Sequence, residues 1–240
     1  MDSADIVKRQ APGATDLGPD FQHVNSWIFD LDNTLYHAGN GIFAQIESRM
    51  TDYVMAFLKL PREAAYARQK DLYRQYGTTL NGLMREHGAK PDDYLRYVHD
   101  IDLSGLEPDA ALTQAIAKLP GRRFVFTNGC RDHAARILER IGMTQLFDDV
   151  WDIRTLDFRP KPQAEAYADV AAAAGLACRR AAMFDDIARN LVPARALGMT
   201  TIWLKTDAPW GKHGPLAEVS SGDINHETDN LSQFLSSIRI

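Results

Sequence analysis

The sequence predicts an α/β protein with a doubly wound parallel sheet and an inserted all-helical cap domain. Short apolar runs alternate with helical patterns along most of the chain, which is typical of parallel strands joined by right-handed crossovers. A helical block longer than a normal crossover directly follows the first strand, which indicates an insertion. Three of the apolar runs end in polar residues of catalytic type, namely Asp30 with Asp32, Thr127 with Asn128, and Asp185 with Asp186.

The composition is that of an ordinary globular protein. Of the 240 residues, 45% are hydrophobic and 25% are charged, and the net charge of −5 gives no basic field for a nucleic-acid polymer. No apolar stretch approaches the roughly 20 residues of a membrane span, and the N-terminus lacks an apolar signal core. Cys130 and Cys178 do not form a C-x-x-C pair, so we expect free thiols, a reducing compartment and a cytoplasmic protein.

The first half of the chain is expected to contain a leader, one strand and the cap. Residues 1–20 are polar and contain several Pro and Gly, so we expect a disordered leader. The apolar run Trp27–Phe29 predicts a buried strand. Residues 37–105 show only helical patterns and are assigned to the cap, whereas 21–36 and 106–240 form the predicted core.

The second half of the chain alternates strands and helices. Apolar runs predict strands at 123–126, 150–153, 181–184 and 200–204, and helical spacing predicts helices at 108–119, 131–141, 164–174, 191–197 and 230–238. Because ligands of open α/β sheets bind beyond the carboxyl ends of the strands, we expect the three polar strand ends to lie together at one functional edge.

The first strand end supplies groups for phosphoryl transfer from an alcohol ester to water. On an extended chain Asp30 and Asp32 point the same way, while Leu31 points back to the core. Asp30 can attack phosphorus and form an aspartyl-phosphate. Asp32 can protonate the leaving oxygen and then deprotonate the water that hydrolyses the intermediate.

The other motifs can bind a phosphate and a cation. The Thr127 hydroxyl and the Asn128 backbone N–H can bind phosphate oxygens at the start of a helix. Lys161 can neutralise both the phosphate and the nucleophile. Asp185 and Asp186 can hold Mg²⁺, which prefers carboxylate and phosphate oxygens. One lysine is too little positive charge for four carboxylates and a phosphate, so the sequence predicts a divalent cation.

In their order along the chain, these residues resemble the motifs of a known family. The sequence is similar to the four motifs of haloacid dehalogenase-like phosphatases at Asp30-Leu31-Asp32-Asn33-Thr34, Thr127-Asn128-Gly129, Lys161-Pro162, and Asp185-Asp186 with Asn190. The resemblance implies a helical cap inserted between the first and second motifs. It also implies Mg²⁺ held by the Asp30 carboxylate, the Asp32 backbone carbonyl and Asp186, with Asp185 acting through water and Asn190 supporting the acids.

A closer resemblance, to the pyrimidine 5'-nucleotidase subgroup, runs through most of the chain. It is carried by Phe29 to Tyr36, the cap segment Tyr76 to Leu83, Asp93-Tyr94, Val98-His99, and Phe126 to Gly129 with His133-Ala134. This resemblance implies hydrolysis of nucleoside monophosphates such as UMP and CMP. Ile187 departs from the subgroup, which usually has serine at that position, and so removes a hydroxyl near the metal.

Three alternative functions differ in how well they fit the sequence. A related phosphatase acting on a sugar phosphate or on phosphoglycolate would differ in its cap. A haloacid dehalogenase would have no use for the acid Asp32, since a halide leaves without a proton. A non-enzymatic phospho-acceptor domain uses similar residues at its strand ends, but it is much shorter and has no helical insertion after its first strand.

Several further residues have ordinary structural explanations. The histidines show no zinc-like spacing, and three of them are expected to be structural or exposed: His37, His99 and His133. Tyr73 and Tyr76 are either core residues of the cap or line its mouth and stack on a base. Arg131 either contacts phosphate or only begins a helix. The Trp210–His213 loop receives no assigned role.

Overall fold

The computed structural model describes residues 18–206 and 219–240, and within them the core is a six-stranded sheet. The strand order is β3-β2-β1-β4-β5-β6, and every neighbouring pair is parallel. The strands are β1 (Ser26–Phe29), β2 (Arg122–Phe126), β3 (Asp149–Trp151), β4 (Ala181–Asp185), β5 (Thr200–Leu204) and β6 (His226–Thr228). This topology confirms the predicted doubly wound α/β class.

Of the five α-helices between β1 and β2, the first four lie where the cap was predicted. They are α1 (Ile42–Leu58), α2 (Arg62–Tyr76), α3 (Thr79–His87) and α4 (Pro91–Val98). Their apolar cluster includes Val54, Leu72 and Leu83. A Cβ on Gly82 would lie 2.5 Å from the Leu72 side chain, so glycine allows α3 to pack closely against α2. The domain boundaries at 37–105 stay a prediction.

Successive residues of a strand enter apolar clusters on opposite faces of the sheet. Trp27 and Phe29 of β1 belong to one cluster and Ile28 to the other, as the two-residue period of an extended chain requires. The Phe29 ring stacks on the Phe184 ring of β4, with centroids 4.6 Å apart. The central strands are apolar throughout because both of their faces are covered.

The remaining helices cover the two faces of the sheet. The cluster around Phe29 receives residues from α5 (Ala110–Ala117), α6 (Arg131–Arg140) and α9 (Leu231–Ser237), and the cluster around Ile28 receives them from α7 (Ala164–Ala173) and α8 (Ala188–Ala196). The α5 helix begins after Asp109, whose carboxylate accepts a 2.9 Å hydrogen bond from the Leu112 backbone N–H.

The main differences from the predicted elements lie at the ends of the chain and near the site. The β6 strand was not predicted, because its three residues lack an apolar run. The α8 helix begins at Ala188 rather than at 191. Residues 1–17 of the predicted leader and the loop at 210–213 lie outside the described residues, while Asp20 pairs with Arg239. Among the described residues, no helix is both long and apolar enough to cross a bilayer.

Candidate active site

A cavity of about 160 Å³ lies between the carboxyl ends of the central strands and the cap helices. Six of the seven residues predicted for the site line it, all except Asp185: Asp30, Asp32, Thr127, Asn128, Lys161 and Asp186. The cap contributes a mostly apolar wall that includes Phe43, Ile46, Met50, Tyr73 and Leu80. The fold therefore gathers around one cavity the polar residues that stand far apart in the sequence.

Lys161 lies at the centre of a buried ionic cluster. Its Nζ is 2.7 Å from Asp30 Oδ1 and 2.7 Å from Asp185 Oδ2, and its side chain is 1% exposed. Burial alone would lower the pKa of Lys161, but the two carboxylates outweigh burial and raise that pKa above its usual range. Burial raises the pKa of Asp30 to about 7, although the charge of Lys161 opposes this shift. The ammonium group therefore stays charged among acids that it does not fully neutralise.

Asp185 is fully engaged by hydrogen-bond donors. Its carboxylate accepts from Lys161 Nζ, from the Asn190 amide at 3.0 and 3.2 Å, and from the Ile187 backbone N–H at 2.9 Å. Ile187 holds Asp185 through its backbone N–H. The serine hydroxyl that is usual at this position in the subgroup is therefore not needed to hold Asp185. Asp185 thus orients Lys161 and has little capacity left for another direct partner.

Asp186 has a different environment. Its Oδ2 is buried and has no hydrogen-bond partner among the described residues. Burial, followed by the charges of Asp30 and Asp185, raises the pKa of Asp186 well above its ordinary value. Carboxylate oxygens of these three acids lie within 4.8 Å of one another. An unpartnered oxygen among hard carboxylate donors fits a small divalent cation, and it makes Asp186 better suited than Asp185 to direct coordination.

Asp32 is held by two donors on the same oxygen. Its Oδ1 lies 2.7 Å from the Tyr36 hydroxyl and 2.9 Å from His133 Nε2. Burial would raise the pKa of Asp32, but the charge and hydrogen bond of His133, together with the hydrogen bond from Tyr36, lower it to about 2. Asn33 has a φ of 62°, a left-handed conformation that Asn tolerates, and it turns the chain directly after Asp32.

The contact of His133 was not anticipated from the sequence, which predicted a structural or exposed histidine. The α6 helix begins at Arg131, so His133 lies in its first turn and reaches the end of β1. Its ring also stacks on His99, with centroids 4.2 Å apart. His37 is exposed and accepts a hydrogen bond from Gly39, away from these acids. The available signal for His133 was its position, five residues after the polar end of β2.

Thr127 and Asn128 take different parts in the site. Thr127 Oγ1 accepts a 2.9 Å hydrogen bond from the Gly129 backbone N–H, which leaves its hydroxyl proton to donate to a phosphate oxygen. The Asn128 side chain pairs with the Lys161 backbone in both directions, at 3.1 Å to its carbonyl oxygen and 2.8 Å from its N–H. The sequence analysis assigned a role only to the backbone of Asn128 and did not predict these hydrogen bonds to Lys161.

Three residues that the sequence left open are placed by the structure. Tyr73 lines the cavity, and the Arg189 guanidinium lies 4.4 Å from the centre of its ring. Tyr76 packs against the apolar cluster of the cap and is absent from the described cavity lining. The Arg131 guanidinium lies 3.0 Å from Asp149 at β3, so it is engaged away from the cavity.

The sequence is similar to a family model and to a curated relative over most of its length. Residues 26–198 match the family model of the haloacid dehalogenase-like hydrolases. Phosphate metabolism protein 8 of Saccharomyces cerevisiae is 27% identical over 192 residues, an alignment that covers 72% of this chain and 59% of the yeast protein. The chain therefore spans less than two thirds of the length of that relative.

Solved structures share the fold. The HAD-hydrolase YfnB from Bacillus subtilis, in a structure bound to magnesium, has a TM-score of 0.57 and 16% identity, with coverage of 90% of this chain and 99% of that chain. CbbY from Rhodobacter sphaeroides, in complex with xylulose-(1,5)bisphosphate, has a TM-score of 0.63 and 14% identity, with coverage of 88% and 96%. At these identities the likeness shows the fold alone.

Proposed function

The chain belongs to the haloacid dehalogenase-like hydrolase family, and from this membership we propose that it is a Mg²⁺-dependent phosphomonoester hydrolase. The reaction proceeds through an aspartyl-phosphate, and the preferred substrates are pyrimidine nucleoside monophosphates such as UMP and CMP. One observation carries the proposal. Buried Lys161 lies between Asp30 and Asp185, beside the cavity at which Asp186 keeps an unpartnered carboxylate oxygen.

Each residue of the site has a role in this reaction. Asp30 attacks phosphorus and forms the aspartyl-phosphate as the bond to the leaving oxygen breaks. Lys161 and the Thr127 hydroxyl bind the phosphate oxygens and balance their charge. Asp32 donates a proton to the leaving oxygen and later accepts one from the attacking water. When bound, Mg²⁺ would be held by Asp30, Asp186 and the Asp32 carbonyl, and it supplies positive charge for the phosphate and the acids.

Asp32 favours a reaction at phosphorus over a reaction at carbon. The family is named for dehalogenases, so membership by itself does not distinguish the two. A halide leaves without a proton, whereas an alkoxide needs one. A carboxylate that lines the cavity two residues after the nucleophile and is held there by Tyr36 and His133 supplies that acid.

The cap favours turnover over a phospho-acceptor switch. A switch must expose its aspartyl-phosphate to a partner protein, whereas here the cap helices contribute much of the wall around Asp30, which is 7% exposed. A stable aspartyl-phosphate that forms without release of inorganic phosphate would support the switch instead.

The cap lining supports a nucleoside as the leaving group. Phe43, Tyr73 and Tyr94 give the cavity an aromatic wall of the kind on which a planar base stacks. Glu47 and Lys70 form an ion pair and line the same cavity, so an acceptor and a donor are available to the polar edge of a pyrimidine. A sugar phosphate or phosphoglycolate is the second candidate, favoured by the fold shared with CbbY, which was solved with a sugar bisphosphate.

A phosphate-release assay tests this proposal. Release is measured with and without Mg²⁺ for UMP, CMP, AMP, GMP, phosphoglycolate and several sugar phosphates, with Asp30→Asn as the blank for contaminating phosphatase. We expect Mg²⁺-dependent release with the highest kcat/KM for UMP and CMP. Equal rates on every ester would defeat the pyrimidine assignment, and no release from any ester would defeat the phosphatase assignment.

We also propose a cytoplasmic location. Both cysteines, Cys130 and Cys178, are free in the structure, as is usual in a reducing compartment. Fractionation of cells that produce the protein tests this directly, and recovery outside the cytoplasmic fraction would contradict it.

A further inference from the structure

We propose that His133 is a positioning residue for the acid step, which holds Asp32 so that its Oδ2 is presented to the leaving group. The inference rests on the proposed phosphatase function and goes beyond the contact of His133 with Asp32, because it concerns which Asp32 oxygen faces the leaving group. His133 acts through Asp32 and not on the substrate.

The hydrogen bonds of Asp32 distinguish its two oxygens. Both donors, the Tyr36 hydroxyl at 2.7 Å and His133 Nε2 at 2.9 Å, bind Oδ1. Among the described residues Oδ2 receives no hydrogen bond, and the Asp32 side chain, which is 16% exposed, lines the cavity. When Asp32 carries its acid proton, that proton therefore sits on Oδ2, because two donors already occupy Oδ1.

The surroundings of His133 keep its ring in one orientation. The side chain is fully buried and stacks on His99, at the end of α4 in the cap, with an interplanar angle of 10°. His99 Nδ1 in turn lies 3.2 Å from Cys130 Sγ. A Cβ on Gly129 would lie 3.4 Å from the His133 ring, so the backbone also approaches it closely. The orientation of the acid is thereby tied to the position of the cap.

Packing alone does not explain an imidazole at this position. Nδ1 of His133 is buried and has no partner among the described residues, which is unfavourable for a polar atom. An apolar side chain would fill the same space without leaving a nitrogen unpaired. The bond from Nε2 to Asp32 is therefore the feature that requires histidine.

The acid step balances as follows. An Asp30 oxygen forms a bond to phosphorus while the bond from phosphorus to the leaving oxygen breaks and leaves its electron pair on that oxygen. The proton on Asp32 Oδ2 moves to the leaving oxygen, which departs as a neutral alcohol. Asp32 becomes a carboxylate, and the donors on Oδ1, whose own protons stay in place, stabilise its new charge.

The test compares two leaving groups that differ in their need for a proton. We measure kcat/KM for UMP, whose alkoxide needs one, and for p-nitrophenyl phosphate, whose phenolate leaves without one, because kcat/KM reports the steps through phosphoenzyme formation. We expect His133→Leu to lose about 10²-fold on UMP and only a few-fold on the aryl ester. His133→Gln keeps an N–H donor and should recover at least about tenfold of the UMP loss.

The outcomes separate this inference from the proposed function. Equal losses on both substrates, or no recovery in His133→Gln, would assign His133 a purely structural role and overturn the inference. If thermal unfolding shows that His133→Leu does not fold, Tyr36→Phe is used instead, because it removes the other donor to Asp32 Oδ1. This variant must then also lose more kcat/KM on UMP than on p-nitrophenyl phosphate. Another alkyl phosphate replaces UMP if UMP is not turned over. A wild-type enzyme that hydrolyses no ester refutes the proposed function and, with it, the inference.

Discussion

Lys161 Nζ lies 2.7 Å from Asp30 Oδ1, although 131 positions separate the two residues in the chain. The order of the strands makes this contact possible. Asp30 follows β1 and Lys161 follows β3, and only β2 lies between these two strands in the sheet. At the end of β2, the Asn128 side chain holds the Lys161 backbone from both sides. The Asn128 amide, at the end of a neighbouring strand, therefore helps to fix the position of Lys161.

Removing that amide should displace Lys161. We expect Asn128→Ala to lower kcat/KM about tenfold and to lower the free energy of unfolding by about 1–2 kcal/mol, since both hydrogen bonds between the Asn128 side chain and the Lys161 backbone are lost. Steady-state kinetics and urea denaturation measure the two effects. Asn128→Asp keeps the acceptor for the Lys161 N–H and should fall between wild type and Asn128→Ala in stability. Unchanged kinetics in Asn128→Ala would show that the Asn128 side chain is not needed to position Lys161.

Mg²⁺ should stabilise the protein through Asp186. Its unpartnered buried oxygen among like charges destabilises the metal-free site, so Asp186→Asn should raise the melting temperature measured in a chelator. Adding Mg²⁺ should raise the melting temperature of the wild type by mass action but leave the variant nearly unchanged. Asp132→Asn, at an exposed acid, is the matched control and should respond like the wild type. An equal Mg²⁺ response in Asp186→Asn would exclude Asp186 as a ligand.

Two glycines with similar backbone angles should differ in their tolerance of alanine. Gly121 and Gly142 have φ values of 82° and 73°, so alanine is strained at both. A Cβ on Gly121 would overlap the Asn25 carbonyl, whereas nothing lies within 4 Å of a Cβ on Gly142. Gly142→Ala should cost about 1 kcal/mol of unfolding free energy, and Gly121→Ala should cost clearly more. Equal losses of unfolding free energy in chemical denaturation would show that the backbone before β2 shifts to accommodate a Cβ at Gly121.

Acid should destabilise the protein in part through His99. Burial, and then the charge of His133, lower the pKa of His99 to about 3, well below the value of about 6.5 in an unfolded chain. The neutral form is thus favoured in the fold, so this stability is present above about pH 6.5 and is lost as the pH falls toward 3. Between about pH 7.5 and 5.5, the wild type should lose about 1 kcal/mol more than His99→Phe.

Denaturant titrations at the two pH values check this expectation. His37→Phe, at an exposed position, is the control and should lose as much stability as the wild type. A loss of the same size in His99→Phe would show that His99 does not contribute to acid lability.

The fold and the clustering of polar strand ends were predictable from the sequence because both depend on local patterns. An apolar run such as Trp27–Phe29 predicts a buried strand wherever it lies, and strand ends of a parallel sheet meet at a common edge. The contact of His133 with Asp32 was not predictable in this way. It depends on which residue of the first turn of α6 faces β1, and that rotation is set by packing against His99 of the cap.

The same reason explains what was missed at the other positions. The Asn128 side chain reaches Lys161 across a loop whose path has no periodic pattern. The sequence around Gly82 does not indicate that α2 and α3 pack closely at this residue. The short β6 strand is added at the sheet edge by pairing with β5, and its three residues show no apolar run that would predict a strand.

The most direct test of the central claim is to locate the phosphorylated residue. In Asp32→Asn, p-nitrophenyl phosphate can still phosphorylate the enzyme, because its phenolate needs no acid, while hydrolysis of the intermediate lacks its base. Acid quenching and peptide mapping by mass spectrometry should then find the phosphate on Asp30. Phosphate on another residue, or undiminished turnover in Asp30→Asn, would contradict the account.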